Sequence, residues 1–303
     1  MRHTKALILI TALALCAALT AFALGDGPLT SVWNSGSDLL FKTDNVSLDG
    51  DATFTLDGKL FKTAKLHYVQ DGYSSLYDLK LLTPLKAGGE RLSGWTIVAD
   101  PEGNYAVMEA YYPGTYKWGV DDPQNTLLRR TMQLDALAEL GGLLVNQIDG
   151  TLPEGAVTVK DQDGQKTVRL TVAGDQIPPL AASALNVAAR FLSDRWFGLH
   201  RDRNINSEYH WAFDGYIAPA QALADGTVHW DMRKVDVEFV IDAQNHLTSV
   251  SGSAVADSTF WDGSVREVAA QFNLTASNYG ESTVKAFDPA DYSVSLATEE
   301  YYR

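Results

Sequence analysis

Histidine is the side chain that most often marks a metal site or a general acid–base site, because its imidazole titrates near neutral pH and binds transition metals. Beyond the amino-terminal apolar segment, the chain has His67, His200, His210, His229 and His246. None of them forms a close-spaced ligand pair such as H-E-x-x-H. His200 and His210 flank an acidic stretch, which offers a weak metal site at best and is better explained as an exposed loop. We therefore predict no metal ion and no cofactor.

Carboxylates are the second kind of catalytic candidate, since two of them facing each other across a cleft can hydrolyse a glycosidic bond. Most aspartates that stand out here precede a glycine, and an aspartate in a turn hydrogen-bonds its own backbone. The sequence has no G-x-S-x-G elbow and no phosphate-binding glycine loop. These observations predict a protein that is not an enzyme, and a glycan hydrolase stays open as an alternative.

Apolar and aromatic side chains are the remaining candidates, because a binding site for an apolar ligand is lined mostly by such groups. The same side chains can form an ordinary core, and carbohydrate stacking on Trp230 or Trp261 is a third alternative. On the binding interpretation, the predicted lining of an apolar cavity is Phe54, Leu66, Tyr68, Leu79, Trp95, Met108, Leu137, Leu144, Phe191, Trp196, Val237, Phe239 and Phe272.

A series of short alternating segments would position the first of these residues. Between residues 45 and 118 the segments are separated by the pairs Asp49-Gly50, Asp57-Gly58, Asp71-Gly72, Gly88-Gly89 and Glu102-Gly103. Asp-Gly between alternating segments is a strong hairpin signal, because type I′ turns need positive φ at both central positions. The strand after residue 58 offers Leu60, Ala64, Leu66 and Tyr68 on one face. The pattern predicts an antiparallel meander with one polar and one apolar face.

Helical spacing interrupts these strands. A short amphipathic helix is predicted over residues 29–41, and longer ones over residues 124–148 and 178–196. A hairpin turning at Asp163-Gly164 lies between the longer helices, and strands over residues 235–241, 247–256 and 268–276 follow. This order predicts an α+β fold, an open antiparallel half-barrel (a curved sheet) with helices covering its concave apolar face. No linker divides it, so residues 24–303 are predicted to form one domain.

The amino terminus predicts export. Basic residues precede an apolar run, and Ala21-Phe22-Ala23 is the small-x-small pattern that signal peptidase cleaves, so residues 1–23 are interpreted as a signal peptide. An uncleaved membrane anchor is the alternative, because residues 6–24 are just long enough to span a bilayer. Lipidation of Cys16 is disfavoured, since bulky Leu15 precedes it. The signal-peptide pattern therefore predicts an extracellular or cell-envelope location.

The net charge of the chain is −14, which argues against nucleic-acid binding.

Residues 45–84, NVSLDGDATFTLDGKLFKTAKLHYVQDGYSSLYDLKLLTP, carry a family resemblance. They resemble the opening strands of exported proteins with the LolA lipoprotein-carrier fold, a group that includes the LppX and LprG lipoproteins and the amino-terminal domain of RseB. The chain looks most like uncharacterised exported proteins of Gram-positive gut bacteria. The resemblance implies a half-barrel closed by helices, with an apolar cavity that in some members carries lipid or acylated protein and in RseB-like members serves sensing.

Two functions follow from the residues and the resemblance together. The first is an exported, non-catalytic binding protein that holds a lipid, lipopeptide or other amphiphile between sheet and helices. The second is an envelope sensor or scaffold of the RseB type, with a core filled by its own side chains and an envelope protein as partner. The amino-terminal segment offers a possible contact with the membrane. Because a fold does not fix a function, the lipoprotein-delivery role of LolA itself is not carried over.

Overall fold

Antiparallel strands dominate the computed structural model, which describes residues 28–84, 90–100, 103–108, 114–118, 151–179, 182–183, 227–260 and 263–291. The strands are β1 (Asn45–Leu56), β2 (Lys59–Asp71), β3 (Ser74–Pro84), β4 (Glu90–Asp100), β5 (Gly103–Met108), β6 (Gly114–Trp118), β7 (Val157–Gln162), β8 (Gln165–Ala173), β9 (Thr227–Ile241), β10 (Leu247–Phe260) and β11 (Val265–Ser277). The helix α1 (Pro28–Ser37) precedes them and continues into a π-helical turn, Asp38–Lys42. Short 3-10 turns occupy Gly174–Gln176 and Pro289–Asp291.

All eleven strands belong to one open sheet, in the order β6-β5-β4-β3-β2-β1-β11-β10-β9-β8-β7. Each neighbouring pair is antiparallel. The last strand of the chain, β11, pairs with the first, so that a meander from each half of the chain joins along β1 and β11. The predicted antiparallel, sheet-rich fold with few helices is confirmed at this level.

Two of the Asp-Gly pairs form the predicted hairpin turns. Asp57 and Gly58 connect β1 to β2 with φ of 50° and 72°, and Asp163 and Gly164 connect β7 to β8 with φ of 53° and 79°. Positive φ at both positions is the geometry of a type I′ turn, which matches the twist of the flanking strands. Gly72 also has a positive φ, 55°, between β2 and β3. Residues 88–89 and residue 102 lie outside the described residues.

The prediction of a turn at Asp49-Gly50 is wrong. Gly50 lies inside β1, paired with Leu66 on one side and with Leu274 on the other. A Cβ built on Gly50 would lie 3.1 Å from Leu274 Cδ1 and 3.3 Å from the carbonyl oxygen of Asn273. This glycine therefore lets a neighbouring strand pack closely, which is the other common reason for a glycine within a strand.

The prediction that Leu60 shares a face with Leu66 is also wrong. The β1–β2 register shifts between Phe54 and Thr55, so that Phe54 pairs with Lys62 and Thr55 pairs with Leu60. An extra residue in one strand reverses the alternation of side chains beyond it. Leu60 therefore lies on the opposite face and is 46% exposed.

The register divides the sheet into two faces. We call "inner" the face that carries one continuous row of directly paired residues: Leu79, Leu66, Gly50, Leu274, Val250, Phe239 and Val168. The neighbouring row on the "outer" face is polar and includes Asp49, His67 and Asp78. The predicted separation into an apolar face and a polar face is therefore present.

Helix α1 covers part of the inner face. Leu29 and Val32, each 1% exposed, belong to the same core cluster as Val168, Leu170 and Phe239. Pro28 begins the helix, where its missing N–H would have had no helical partner. The predicted helix over residues 124–148 lies outside the described residues. Of the predicted helix over residues 178–196, one bond of its first turn is described, in which the Ala182 N–H donates to the Pro178 carbonyl at 3.0 Å.

The outer face has an apolar cluster of its own at β2–β5. Val69, Val98, Tyr105 and Val107 are buried there. We call residues 278–291 the C-terminal segment; its Phe287 ring stacks on Tyr105 with centroids 4.0 Å apart. The Phe287 N–H donates to Asp100 Oδ2 at 2.9 Å, and the Ser282 N–H donates to Asn45 Oδ1 at 2.7 Å. The chain thus returns from β11 to reach β4 and β5 on this face.

Candidate functional site

The inner face brings together the predicted lining residues that the structure describes. Phe54, Tyr68, Val237 and Phe272 extend the rows of Leu66, Leu79 and Phe239, as the pairs Phe54–Ala270, Tyr68–Tyr77, Gly252–Val237 and Gly252–Phe272 show. The backbone register places Trp95 opposite Leu79 and Met108 opposite Trp95. Leu137, Leu144, Phe191 and Trp196 lie outside the described residues. Sequence periodicity therefore located one shared face, whereas its role as a binding surface stays a prediction.

Burial varies across this face. Val168, Val237 and Phe239 are all 0% exposed, in the part that α1 covers. On β11 and β1–β3, the side chains of Phe54, Leu66, Leu79 and Phe272 are half-buried, whereas Leu48 and Leu274 on the same face are buried. Partial burial is therefore a property of these four positions and not of the whole β1–β3 part of the face.

Small residues occupy the middle of the inner face. Gly50 and Ala52 on β1, Ala64 on β2, and Gly252 and Ala254 on β10 lie between the larger side chains of β3 and β9. A Cβ on Gly252 would come within 2.3 Å of the Asp236 carbonyl oxygen, so no other residue fits there without moving β9. The large side chains of Phe272 and Leu274 on β11 lie between these small residues of β1 and β10.

A buried cationic side chain lies on this apolar face, and the sequence patterns did not point to it. Lys62 pairs with Phe54, precedes Ala64 on the same face, and is 6% exposed. Burial lowers the pKa of Lys62 from 10.5 to about 8, because a desolvated ammonium is disfavoured. Its alternation with Ala64 and Leu66 was the available signal, since no register shift lies between these residues.

A neutral polar group lies toward the other end of the inner face. The Tyr68 hydroxyl donates to Gln70 Oε1 at 2.8 Å, and Gln70 Nε2 donates to the Gly72 carbonyl at 3.2 Å. Tyr77 pairs with Tyr68, and burial, with a smaller contribution from the Asp78 carboxylate, raises the pKa of the Tyr77 hydroxyl well above its usual value. The Tyr77 hydroxyl therefore stays protonated and neutral across the physiological range. The two ends of the face thus differ in charge.

Two histidines of the described residues, His67 and His246, take part in ordinary surface pairs. His67 Nδ1 lies 2.7 Å from Asp49 Oδ1 on the outer face, where both side chains are largely exposed. His246 stacks on Tyr279 with centroids 4.2 Å apart and lies 3.2 Å from Asp242, whose carboxylate also accepts the backbone N–H of His246 in the β9–β10 turn. Within the described ranges, no group of three or more potential ligands could hold a metal ion.

Ser282 and Lys285 have the spacing of the S-x-x-K motif of acyl-transferring serine enzymes. Ser282 Oγ donates to the Asn278 carbonyl at 3.0 Å and lies 2.9 Å from Ser47 Oγ. The Lys285 ammonium donates instead to Asp291 Oδ2 at 2.7 Å, in an exposed ion pair. The serine and the lysine therefore serve separate structural contacts and do not form a nucleophile–base pair.

Comparisons with known proteins assign no family. No family model matches the chain, and no curated protein matches it. A solved structure described as an N-terminal dehydratase from the difficidin assembly line is 8% identical with a TM-score of 0.12, and the alignment covers 78% of this chain and 80% of that one. A tesB protein of Mycobacterium avium subs paratuberculosis is 10% identical with a TM-score of 0.11, over 82% of this chain and 86% of that one.

A further solved structure, a conserved protein with a hot dog fold from Alicyclobacillus acidocaldarius, is 8% identical with a TM-score of 0.11, over 86% of this chain and 88% of that one. Scores of this size carry no argument about the fold or the chemistry of this chain. A search of the described residues for a helix long and apolar enough to cross a membrane found none.

Proposed function

We propose that this protein is an exported, non-catalytic binding protein that holds a lipid, lipopeptide or other amphiphile on the inner face of its sheet. The observation that carries the proposal is the partial burial of four apolar positions on that face. Phe54, Leu66, Leu79 and Phe272 continue the same apolar rows as the fully buried residues of β8–β10 but are only half-buried. Apolar side chains that stay partly accessible in the middle of a sheet are what an alkyl chain needs.

The proposal includes the finer fold expected from the sequence. We propose a half-barrel of the LolA type, in which the helices predicted over residues 124–148 and 178–196 lie across the β1–β3 half of the inner face. The support is the need to keep that face from water, because a sheet with one apolar face must bury it against another layer. Export by residues 1–23 belongs to the same proposal, and its support is the signal-peptide pattern.

A sensor or scaffold acting through an envelope protein is the second candidate. The buried core cluster of the inner face favours it, because Phe239, Leu48 and the neighbouring core residues fill that space with the protein's own side chains. A core that is full everywhere would leave no room for a ligand. The two candidates therefore differ in whether the β1–β3 half admits an external molecule.

Native mass spectrometry of the protein recovered after export tests the choice. A binding protein retains a co-purifying amphiphile, or takes up the neutral apolar dye N-phenyl-1-naphthylamine with an increase in fluorescence. Leu66→Asn, on the inner face, should weaken dye uptake, whereas Lys65→Asn, on the outer face of the same strand, should not. A protein that carries no amphiphile and takes up no dye would overturn the binding proposal in favour of the scaffold.

A further inference from the structure

The strand β7 forms one edge of the eleven-stranded sheet and pairs with β8 on one side only. The Thr171 N–H donates to the Ala156 carbonyl at 2.8 Å, so the even-numbered residues of this stretch bond to β8. The bonding direction alternates along an antiparallel strand, and the N–H and C=O groups of Val157, Val159 and Asp161 therefore point away from β8. These groups have no hydrogen-bond partner among the described residues, which leaves the edge of β7 able to pair.

The side chains of β7 do little to protect this edge. Edge strands usually avoid pairing by means of prolines, β-bulges or charged side chains that point inward. The strand contains no proline and pairs with β8 without a register shift. Its one charge on the inner face, Asp161, lies opposite Lys166 of β8. At the centre of the strand Val159 is 40% exposed, although it continues the inner-face row after Val168. The edge is therefore open to a further strand.

We propose that β7 pairs with β7 of a second copy of this chain, antiparallel and about a two-fold axis, so that two sheets join into one. A two-fold axis perpendicular to the sheet keeps both inner faces on the same side. The register centred on Val159 places this residue opposite its own counterpart, and it places Val157 opposite the Asp161 of the second copy. All three residues point their backbone groups toward the second copy, so about six hydrogen bonds cross the interface. The inference goes beyond the proposed binding function and does not depend on it.

Charge and hydrogen bonding both favour this register over its neighbours. Centring the pairing on Lys160 would set two ammonium groups directly opposite each other, and centring it on Thr158 would leave Asp161 beyond the end of the paired strand. Both shifts lose two of the hydrogen bonds. In the register centred on Val159, Lys160 lies opposite Thr158 and Asp161 lies opposite Val157, so no like charges face each other directly. The charges of Lys160 and Asp161 also cancel, which matters for self-association of a chain whose net charge is −14.

Analytical ultracentrifugation of the exported protein measures this association. One strand pair buries less surface than a standard interface, so we expect a dimer that depends on concentration, with half of the protein associated at about 100 μM or below. Val159→Lys should weaken the dimer about tenfold, because it replaces a pair of valines by two like charges. Val265→Lys is the matched control and should leave the dimer unchanged, since Val265 is 60% exposed on β11, three strands away from β8. Far-UV circular dichroism checks that each variant folds.

Disulfide formation tests the register. Cys16 is the only cysteine of the chain, so a Cys16→Ala background has no thiol of its own. Opposed residues of a hydrogen-bonded pair have Cα atoms about 5.5 Å apart, a distance that a disulfide spans. Val159→Cys should therefore cross-link two copies on oxidation by diamide. Lys160→Cys should not, because its two Cα atoms would be about 8 Å apart. Val157→Cys and Asp161→Cys should cross-link when they are mixed, and neither should do so alone.

Each result either supports the proposal or overturns it. A protein that stays monomeric as its concentration rises overturns the proposal and leaves the edge of β7 to a strand of another protein. A dimer that Val159→Lys does not weaken forms through a different surface. Faster cross-linking of Lys160→Cys than of Val159→Cys contradicts the register. Dye uptake by the inner face is a separate measurement, so none of these outcomes decides the binding function.

Discussion

Replacing Lys62 by methionine is expected to stabilise the protein at neutral pH. Methionine has a similar length and no charge, so it keeps the packing against the inner face and removes the desolvation of the ammonium. Burial lowers the pKa of Lys62 from 10.5 to about 8, and one pKa unit corresponds to about 1.4 kcal/mol. The charged lysine therefore costs up to about 3 kcal/mol at pH 7, which is a large fraction of the stability of an ordinary domain.

The lowered pKa of Lys62 also predicts how the free energy of unfolding changes with pH. Because the folded protein binds the lysine proton more weakly than the unfolded chain does, the unfolding free energy rises with pH between about 8 and 10.5. Below pH 8 the cost is fully present, and above 10.5 it is gone. The advantage of Lys62→Met over wild type should thus be greatest near pH 7 and should shrink toward zero by about pH 10.5.

Urea unfolding followed by tryptophan fluorescence at pH 7, 8, 9 and 10 measures the difference between the two proteins. Taking the difference cancels the contributions of the other titrating groups. Lys65→Met is the matched control, because Lys65 is exposed on the outer face of the same strand. A Lys62→Met advantage that does not change with pH, or a variant that is less stable than wild type at pH 7, would refute the argument that a desolvated charge lies on this face.

Three further predictions test the fold around the site. Gly252→Ala should lower the unfolding free energy by about 1–3 kcal/mol, since the added Cβ would lie 2.3 Å from a backbone oxygen. Gly36→Ala is the control in the same urea titration and should change the unfolding free energy little, because its Cβ would lie 3.8 Å from the nearest side chain. Phe287→Ala should lower the melting temperature, because it removes a ring stack on Tyr105 worth about 0.5–1.5 kcal/mol beyond its buried area. An unchanged melting temperature would mean that packing of the C-terminal segment on the outer face does not stabilise the fold. The hydrogen bond from Arg266 lowers the pKa of Asp57 below 3.8, so the contribution of this carboxylate to stability is lost as the pH falls below 3.8. Asparagine also tolerates the positive φ of this position, so Asp57→Asn should fold and should unfold less steeply with acid in that range. Circular dichroism between pH 5 and 2 measures the difference.

Alternation and turn chemistry predicted most of the described strands. Residues 235–241 and 268–276 alternate cleanly, and both lie in strands whose apolar positions face inward. The same turn signal failed at Gly50, because an Asp-Gly pair permits a turn but does not show whether a neighbouring strand packs closely against the glycine. Leu274, which crowds that glycine, is more than two hundred residues away in sequence. Contacts of that range are not visible in a local pattern.

The sequence predicted which face of the sheet carries the candidate site, but it did not predict the polar groups on that face. Periodicity located Leu66, Leu79 and Phe239 on one surface, because a period of two is a local property. The same period places Lys62 with Ala64 and Leu66, but the burial of Lys62 is not a local property of the sequence. Leu60 was assigned to the wrong face, because its face depends on a β-bulge, and a bulge arises from pairing with another strand. The stack of Phe287 on Tyr105 was hidden for the same reason, since the two rings are brought together only by the return of the chain across the sheet.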